Sequence, residues 1–229
     1  MMTTFSIRGG RGGRAAVLAA HLVACAVLGV GLTLAQASST PTPAAGAVPE
    51  AKAAPEKGAM DKPVAKKEVA VLKTSLGTIV FEFLPDVAPK MVENFKDLAK
   101  TGFYNGTTFH RVIKGFMIQG GDPLSKDNDP NNDGTGDGPR KMPAEFTTKY
   151  SHKRGMVSTA PSNDPNSGSC QFFIMHGDNP GLDNQYTIFG RVIEGMDVVD
   201  KIATVATTGR PNDRPLQKVV MEKVSIETR

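Results

Sequence analysis

Apolar and polar positions alternate in short runs from Val69 onward. Ile79, Phe81 and Phe83 alternate with Thr78, Val80 and Glu82, and the β-rich runs 69–74 and 78–84 flank Ser75-Leu76-Gly77. A side-chain period of two with a short Gly-containing connection predicts a hairpin. The period then lengthens. Met91, Val92, Phe95 and Leu98 form a helical stripe over 88–100, with Pro89 in its first turn and Gly102 as its stop. A second stripe, Val198, Val199 and Ile202, predicts a helix over about 196–203. Between the two helices lie β-rich pieces at 109–113, 116–119, 156–159, 171–175 and 187–192, and 219–226 closes the series. Many short strands separated by Gly, Pro, Asn and Asp predict a mainly β barrel or sandwich, and the pattern alone leaves those two open.

The first 67 residues follow other rules. Arg8, Arg11 and Arg14 precede an apolar run, Leu22 to Leu34, and then Ala35-Gln36-Ala37. That order is the one of a secretory signal and predicts cleavage after Ala37, with an uncleaved membrane anchor over 1–37 as the alternative. Leu22-Val23-Ala24-Cys25 resembles a lipobox, but the apolar run continues past Cys25 instead of ending there. Residues 38–67 mix Pro, Ala and Lys with almost no large apolar side chains, which predicts a disordered spacer. The folded domain is expected over 68–229, as a monomer in an exported, periplasmic setting, touching a membrane only if the N-terminal segment is retained or lipidated.

Charge sharpens this division. The chain of 229 residues has a net charge of +4. Residues 1–37 hold three Arg and no acid, 38–67 hold five Lys against three acids, and 68–229 hold 19 basic and 20 acidic residues. The positive charge therefore lies outside the part that folds, and nucleic-acid binding by that part loses its main electrostatic support. With Cys25 removed, Cys170 is the only thiol of the mature chain, so no internal disulfide is expected.

Three segments identify a family. Phe109-His110-Arg111-Val112-Ile113 is followed by Gly115-Phe116-Met117-Ile118-Gln119-Gly120-Gly121-Asp122. Then come Gln171-Phe172-Phe173-Ile174, and Leu182-Asp183 with Phe189-Gly190. In order and spacing these resemble the cyclophilin family of peptidyl-prolyl cis-trans isomerases, from about Val69 to Ile226. The resemblance implies a closed eight-stranded antiparallel β-barrel capped by two α-helices, and action on X-Pro bonds of unfolded or extended polypeptides.

The chemistry asks little of the protein. An X-Pro bond is a tertiary amide whose rotation faces a barrier of roughly 18–20 kcal/mol. Lowering it needs no metal, cofactor or nucleophile, only a group that binds the twisted amide better than either planar form. Twisting returns a lone pair to the proline nitrogen, and an arginine offers charged donors in a rigid fork. Arg111 is the catalytic candidate. By resemblance Phe116, Met117, Phe173 and Leu182 line the proline slot, Ala160 and Tyr186 complete its wall, Gln119 and Gln171 bond the substrate backbone, and His110 sits beside Arg111. Strict alternation puts Phe116 on the face opposite Met117, so its place rests on the resemblance, with a bend after Gly115. Phe172 and Cys170 read as core, and His152 and His176 as surface residues without ligand spacing. A non-catalytic proline-binding chaperone using the same groove is the rival function.

Two departures from the family matter. Gly181 stands where members often carry a Trp that helps hold cyclosporin, which predicts weak cyclosporin binding. The loop Asp127 to Asp137 is longer than the family norm; Asp129, Asn131, Asp133, Gly134 and Asp137 match a calcium loop, but Arg140 occupies the position of its closing Glu. We read it as a solvated Asx and Gly loop and expect no metal.

Overall fold

The computed structural model describes residues 66–229, so the signal expectation and the spacer expectation up to residue 65 lie outside the described residues. Eight strands form one antiparallel sheet: β1 (Glu68–Thr74), β2 (Gly77–Phe83), β3 (Phe109–Ile113), β4 (Met117–Gly120), β5 (Met156–Thr159), β6 (Phe172–Met175), β7 (Ile188–Glu194) and β8 (Met221–Thr228). Their spatial order is β3-β4-β6-β5-β7-β2-β1-β8. Two helices, α1 (Pro89–Lys100) and α2 (Met196–Ala203), pack against this sheet. No described helix is long and apolar enough to cross a membrane.

The closed barrel implied by the resemblance is corrected by the pairing. The sheet curls into a half-barrel whose edges, β3 and β8, meet only through an isolated bridge between Thr108 and Val220. Beyond that bridge the free edge of β3 is taken by a loop, with Val112 N–H donating to Asp213 O at 2.8 Å. A backbone group bonded to a loop cannot continue a ladder. Curling is helped by register shifts in the β1/β8, β2/β7, β3/β4 and β5/β7 pairs, because a bulge increases local twist.

The sheet separates two apolar clusters. On one face Phe95 of α1 stacks on Tyr104 with ring centroids 4.8 Å apart and meets Phe81, Phe172 and Phe189 at 5.3–5.6 Å. Each such aromatic pair adds about 0.5–1.5 kcal/mol beyond area burial. The other face carries Met117, Met156, Phe173, Met175 and Ile188. β6 shows why its sequence is apolar throughout: Phe172 and Ile174 enter the first cluster, Phe173 and Met175 the second. Cys170 and Phe172 lie in the first cluster, as their shared parity with Ile174 predicts.

Helix α1 has Ala88 at its N-cap and no capping side chain there. Glu145, far along the chain, accepts from the N–H groups of Lys90 and Met91 at 3.2 and 3.0 Å, placing a carboxylate at the positive end of the helix. Three short 3-10 turns, Pro123–Lys126, Pro165–Ser167 and Pro180–Leu182, were not expected from periodicity. Each starts at an Asx-Pro pair whose side chain, Asp122, Asp164 or Asn179, accepts from the N–H two residues on.

Candidate active site

The cross-strand register builds the floor of a groove. Arg111 on β3 lies opposite Gln119 on β4, and Gln119 lies opposite Phe173 on β6. Neighbouring strands stand about 4.8 Å apart, so these three side chains form one row on the same face. The next row along that face is Ile113, Met117 and Met175. The groove above has a volume of about 510 Å³. His110, Arg111, Phe116, Met117, Gln119, Ala160, Phe173, Leu182 and Tyr186 all line it.

Strict alternation would send His110 and Arg111 to opposite faces. The β3/β4 register shifts between Phe109 and Arg111, leaving His110 as the extra residue of a bulge, and both side chains reach the groove. Phe116 precedes β4 in a tight turn. Gly115, at φ +80°, supplies the bend that a residue with a Cβ adopts only under strain, and it delivers Phe116 to the groove.

Arg111 is half-buried, and among the described residues its guanidinium has no ion pair or hydrogen bond. Arg140, Arg154, Arg191 and Arg229 each hold a carboxylate. An arginine left with free donors in a groove is poised for a ligand. His110 is buried, and neither ring nitrogen has a partner. Burial, partly offset by the nearby charge of Asp122, lowers its pKa to about 4, so the ring is neutral at physiological pH.

Gln171 departs from its expected role. It does not line the groove but sits beneath it, 8% exposed, donating to the carbonyls of Gly134 and Gly136 at 2.9 and 2.8 Å. Its amide protons are thereby committed to the loop 127–137 and not to a substrate. That loop is built from Asx turns, with Asp127 and Asp129 accepting from the N–H groups of Asp129 and Asn131. Asp122, fully buried, accepts from Gly134 N–H. A Cβ at Gly136 would collide with the Asp122 carboxylate, which explains the glycine.

His152 and His176 are not surface residues. His152 is fully buried behind the groove wall, its ring nearly parallel to Phe173 at 6.1 Å and edge-on to Tyr186 at 6.3 Å. Its Nδ1 lies 2.7 Å from Asp183 Oδ1, and Asp183 also accepts from Ser151 Oγ and His152 N–H. Burial lowers the His152 pKa against the opposing pull of Asp183. The ring of His176 is also largely buried, between the Gly115 turn and Asp200 of α2. The polar neighbours of His152, Ser151 and Lys153, hide this in the sequence, and His176 is covered by segments far from it in the chain.

Sequence reasoning also missed one wall. Pro130, Asn131 and Asp133 from the long loop face Pro211, Asn212 and Arg214 from the loop before β8, and Arg214 donates to Pro130 O at 3.0 Å. Neither loop has a periodic pattern, and they meet only because the sheet curls.

Residues 69–226 match the family model of cyclophilin type peptidyl-prolyl cis-trans isomerase/CLD. The chain is 45% identical over 161 residues to peptidyl-prolyl cis-trans isomerase CYP18-1 of Arabidopsis thaliana, a match covering 68% of this chain and 93% of that one. It is 40% identical over 168 residues to a probable peptidyl-prolyl cis-trans isomerase of Brucella abortus, covering 71% and 85%. Among solved structures, a cyclophilin type isomerase of Cryptosporidium parvum, crystallised in the presence of the dipeptide Ala-Pro, superposes with a TM-score of 0.64 at 29% identity, covering 70% of this chain and 99% of that one. The chain belongs to the cyclophilin-type peptidyl-prolyl cis-trans isomerases and is an enzyme of that class.

Proposed function

We propose that the groove accelerates rotation about X-Pro bonds by donating from Arg111 to the proline nitrogen as the amide twists. The observation that carries this reading is the unpaired guanidinium of Arg111, in one row with Gln119 and Phe173. The proline ring fills the slot between Phe116, Met117, Phe173 and Leu182, with Ala160 and Tyr186 beside it. Gln119 bonds the substrate backbone, and His110, neutral and buried, keeps a second cation away from Arg111. A planar ground-state amide has no nitrogen lone pair to offer, so the Arg111 bond strengthens only in the transition state. The relative crystallised with Ala-Pro supports a proline-containing ligand for this groove.

One charge-assisted hydrogen bond is worth about 1.5–3 kcal/mol, or about 10- to 100-fold in rate. Arg111→Ala is therefore expected to lower kcat/KM by about that factor in a protease-coupled assay on a short X-Pro peptide. Equal rates for Arg111→Ala and wild type would refute the role of Arg111. Activity in neither would favour the chaperone reading.

The clients are exported proteins, and the enzyme acts outside the cytoplasm. What supports this is the order of Arg8 to Arg14, the apolar run and Ala35-Gln36-Ala37. Mass spectrometry of the mature N-terminus tests it: a start at Ser38 is expected, and a start at Met1 or Met2 overturns the cleavage.

A further inference from the structure

We propose that His176 is a positioning residue for the proline slot, acting through the turn that carries Phe116. The inference rests on the reading of Phe116 as a wall of that slot. The turn between β3 and β4 is held from below by the residues that follow β6. Phe116 O accepts from the N–H groups of His176 and Gly177 at 2.9 and 3.2 Å. Gly115 N–H donates to His176 Nδ1 at 2.8 Å. The two backbones approach so closely that a Cβ at Gly177 would collide with the Gly115 carbonyl.

The imidazole is itself fixed at both ends. Because Nδ1 accepts from an N–H, it carries no proton, so the ring proton sits on Nε2. Nε2 lies 3.1 Å from Asp200 Oδ1 on α2. Asp200 is also held by the Arg154 Nη2 at 2.7 and 2.9 Å, and the Arg154 Nη1 donates to His176 O at 2.8 Å. A continuous set of bonds thus runs from α2 through His176 to Gly115 and sets where Phe116 stands. Phe173, the facing wall, lies three residues before His176 on the same strand and its extension. One short segment therefore sets both sides of the slot.

The test uses the full chain and a short X-Pro peptide. His176→Ala removes both ring contacts. It is expected to lower kcat/KM by about three- to tenfold, the rate equivalent of one ordinary hydrogen bond, through a raised KM. His176→Asn places its amide oxygen at the same bond distance from the backbone as Nδ1 and restores the acceptor for Gly115. It is expected within about twofold of wild type, while His176→Gln, which reaches only toward Asp200, stays low. In a Phe116→Ala background, adding His176→Ala is expected to cause no further loss. In the unmutated protein the Gly115 amide should exchange more slowly than that of Lys114. Wild-type rates for His176→Ala, equal loss in the Asn and Gln variants, additive losses with Phe116→Ala, or a Gly115 amide as fast as Lys114 would each overturn the proposal. Loss in Phe116→Ala beside full activity in His176→Ala sinks this proposal alone; full activity in Phe116→Ala sinks the slot reading with it.

Discussion

The side-chain amide of Gln119 donates to the amide oxygen of Gln171 at 3.1 Å, and Gln171 spends its own amide protons on the carbonyls of Gly134 and Gly136. The network defines the sense of both amides: Gln171 can only accept from Gln119, so Gln119 turns nitrogen toward Gln171 and keeps its oxygen for the groove. Gln171 acts as a clamp between the groove floor and the long loop.

Gln171→Glu reverses the clamp. A carboxylate cannot donate, so it would face two loop carbonyls as a third acceptor in a buried site. The expected cost is about 3 kcal/mol in urea unfolding, with a fall in kcat/KM as the loop separates from Gln119. Unchanged stability and activity would show that the clamp carries nothing.

His110 makes stability depend on pH. Its folded pKa of about 4 lies below the ordinary value of 6.5, so between those pH values the unfolded chain binds more protons than the folded one. Stability from this group is complete above pH 6.5 and is lost as pH falls toward 4. The full difference is on the order of 3 kcal/mol. Comparing wild type with His110→Gln isolates it from the carboxylates: the stability difference between pH 7 and pH 4.5 should be smaller in the variant. A His110 ring that titrates near 6.5 by NMR would contradict this account.

Cys170 should be inert in the folded enzyme. It is fully buried, and burial, helped by the negative charge of Asp122, pushes its thiol up to about 12. The thiolate is the reactive species, so a disulfide reagent at pH 8 should label it only after denaturation. Rapid labelling of the native protein would mean that the wall formed by Gly136 and Gly138 opens.

Cyclosporin should bind weakly. Gly181 sits in the Pro180–Leu182 turn beside Leu182 at the groove and presents no side chain there. Gly181→Trp is expected to raise cyclosporin affinity while leaving turnover of a short X-Pro peptide within about twofold, because a large aromatic at the rim adds contact area for a bulky ligand. Inhibition of the unmutated enzyme at nanomolar cyclosporin would overturn the expectation.

What the sequence determined here is what short-range patterns and ordered motifs encode. The helical stripe ending at Gly102 and the Val198, Val199, Ile202 stripe correspond to α1 and α2, and the β-rich runs correspond to eight strands within a residue or two. The three Asx-Pro turns were not read from the sequence, because they rest on local capping chemistry and have no periodicity. The ordered motifs together carried the family resemblance, and that resemblance named nine residues that the fold brings to one groove. The tertiary structure decided the rest, because each remaining feature depends on segments far apart in the chain. The bulge at His110 exists only in register with β4, and Val112 meets Asp213 only because the sheet curls. Gln171 becomes a clamp only when the loop 127–137 folds over it. The burial of His152 and His176 comes from Asp183, Phe173, Gly115 and Asp200, none of which is adjacent to its histidine in the chain. Periodicity reports which face a residue takes on its own element, and it carries no information about what another element later lays against that face.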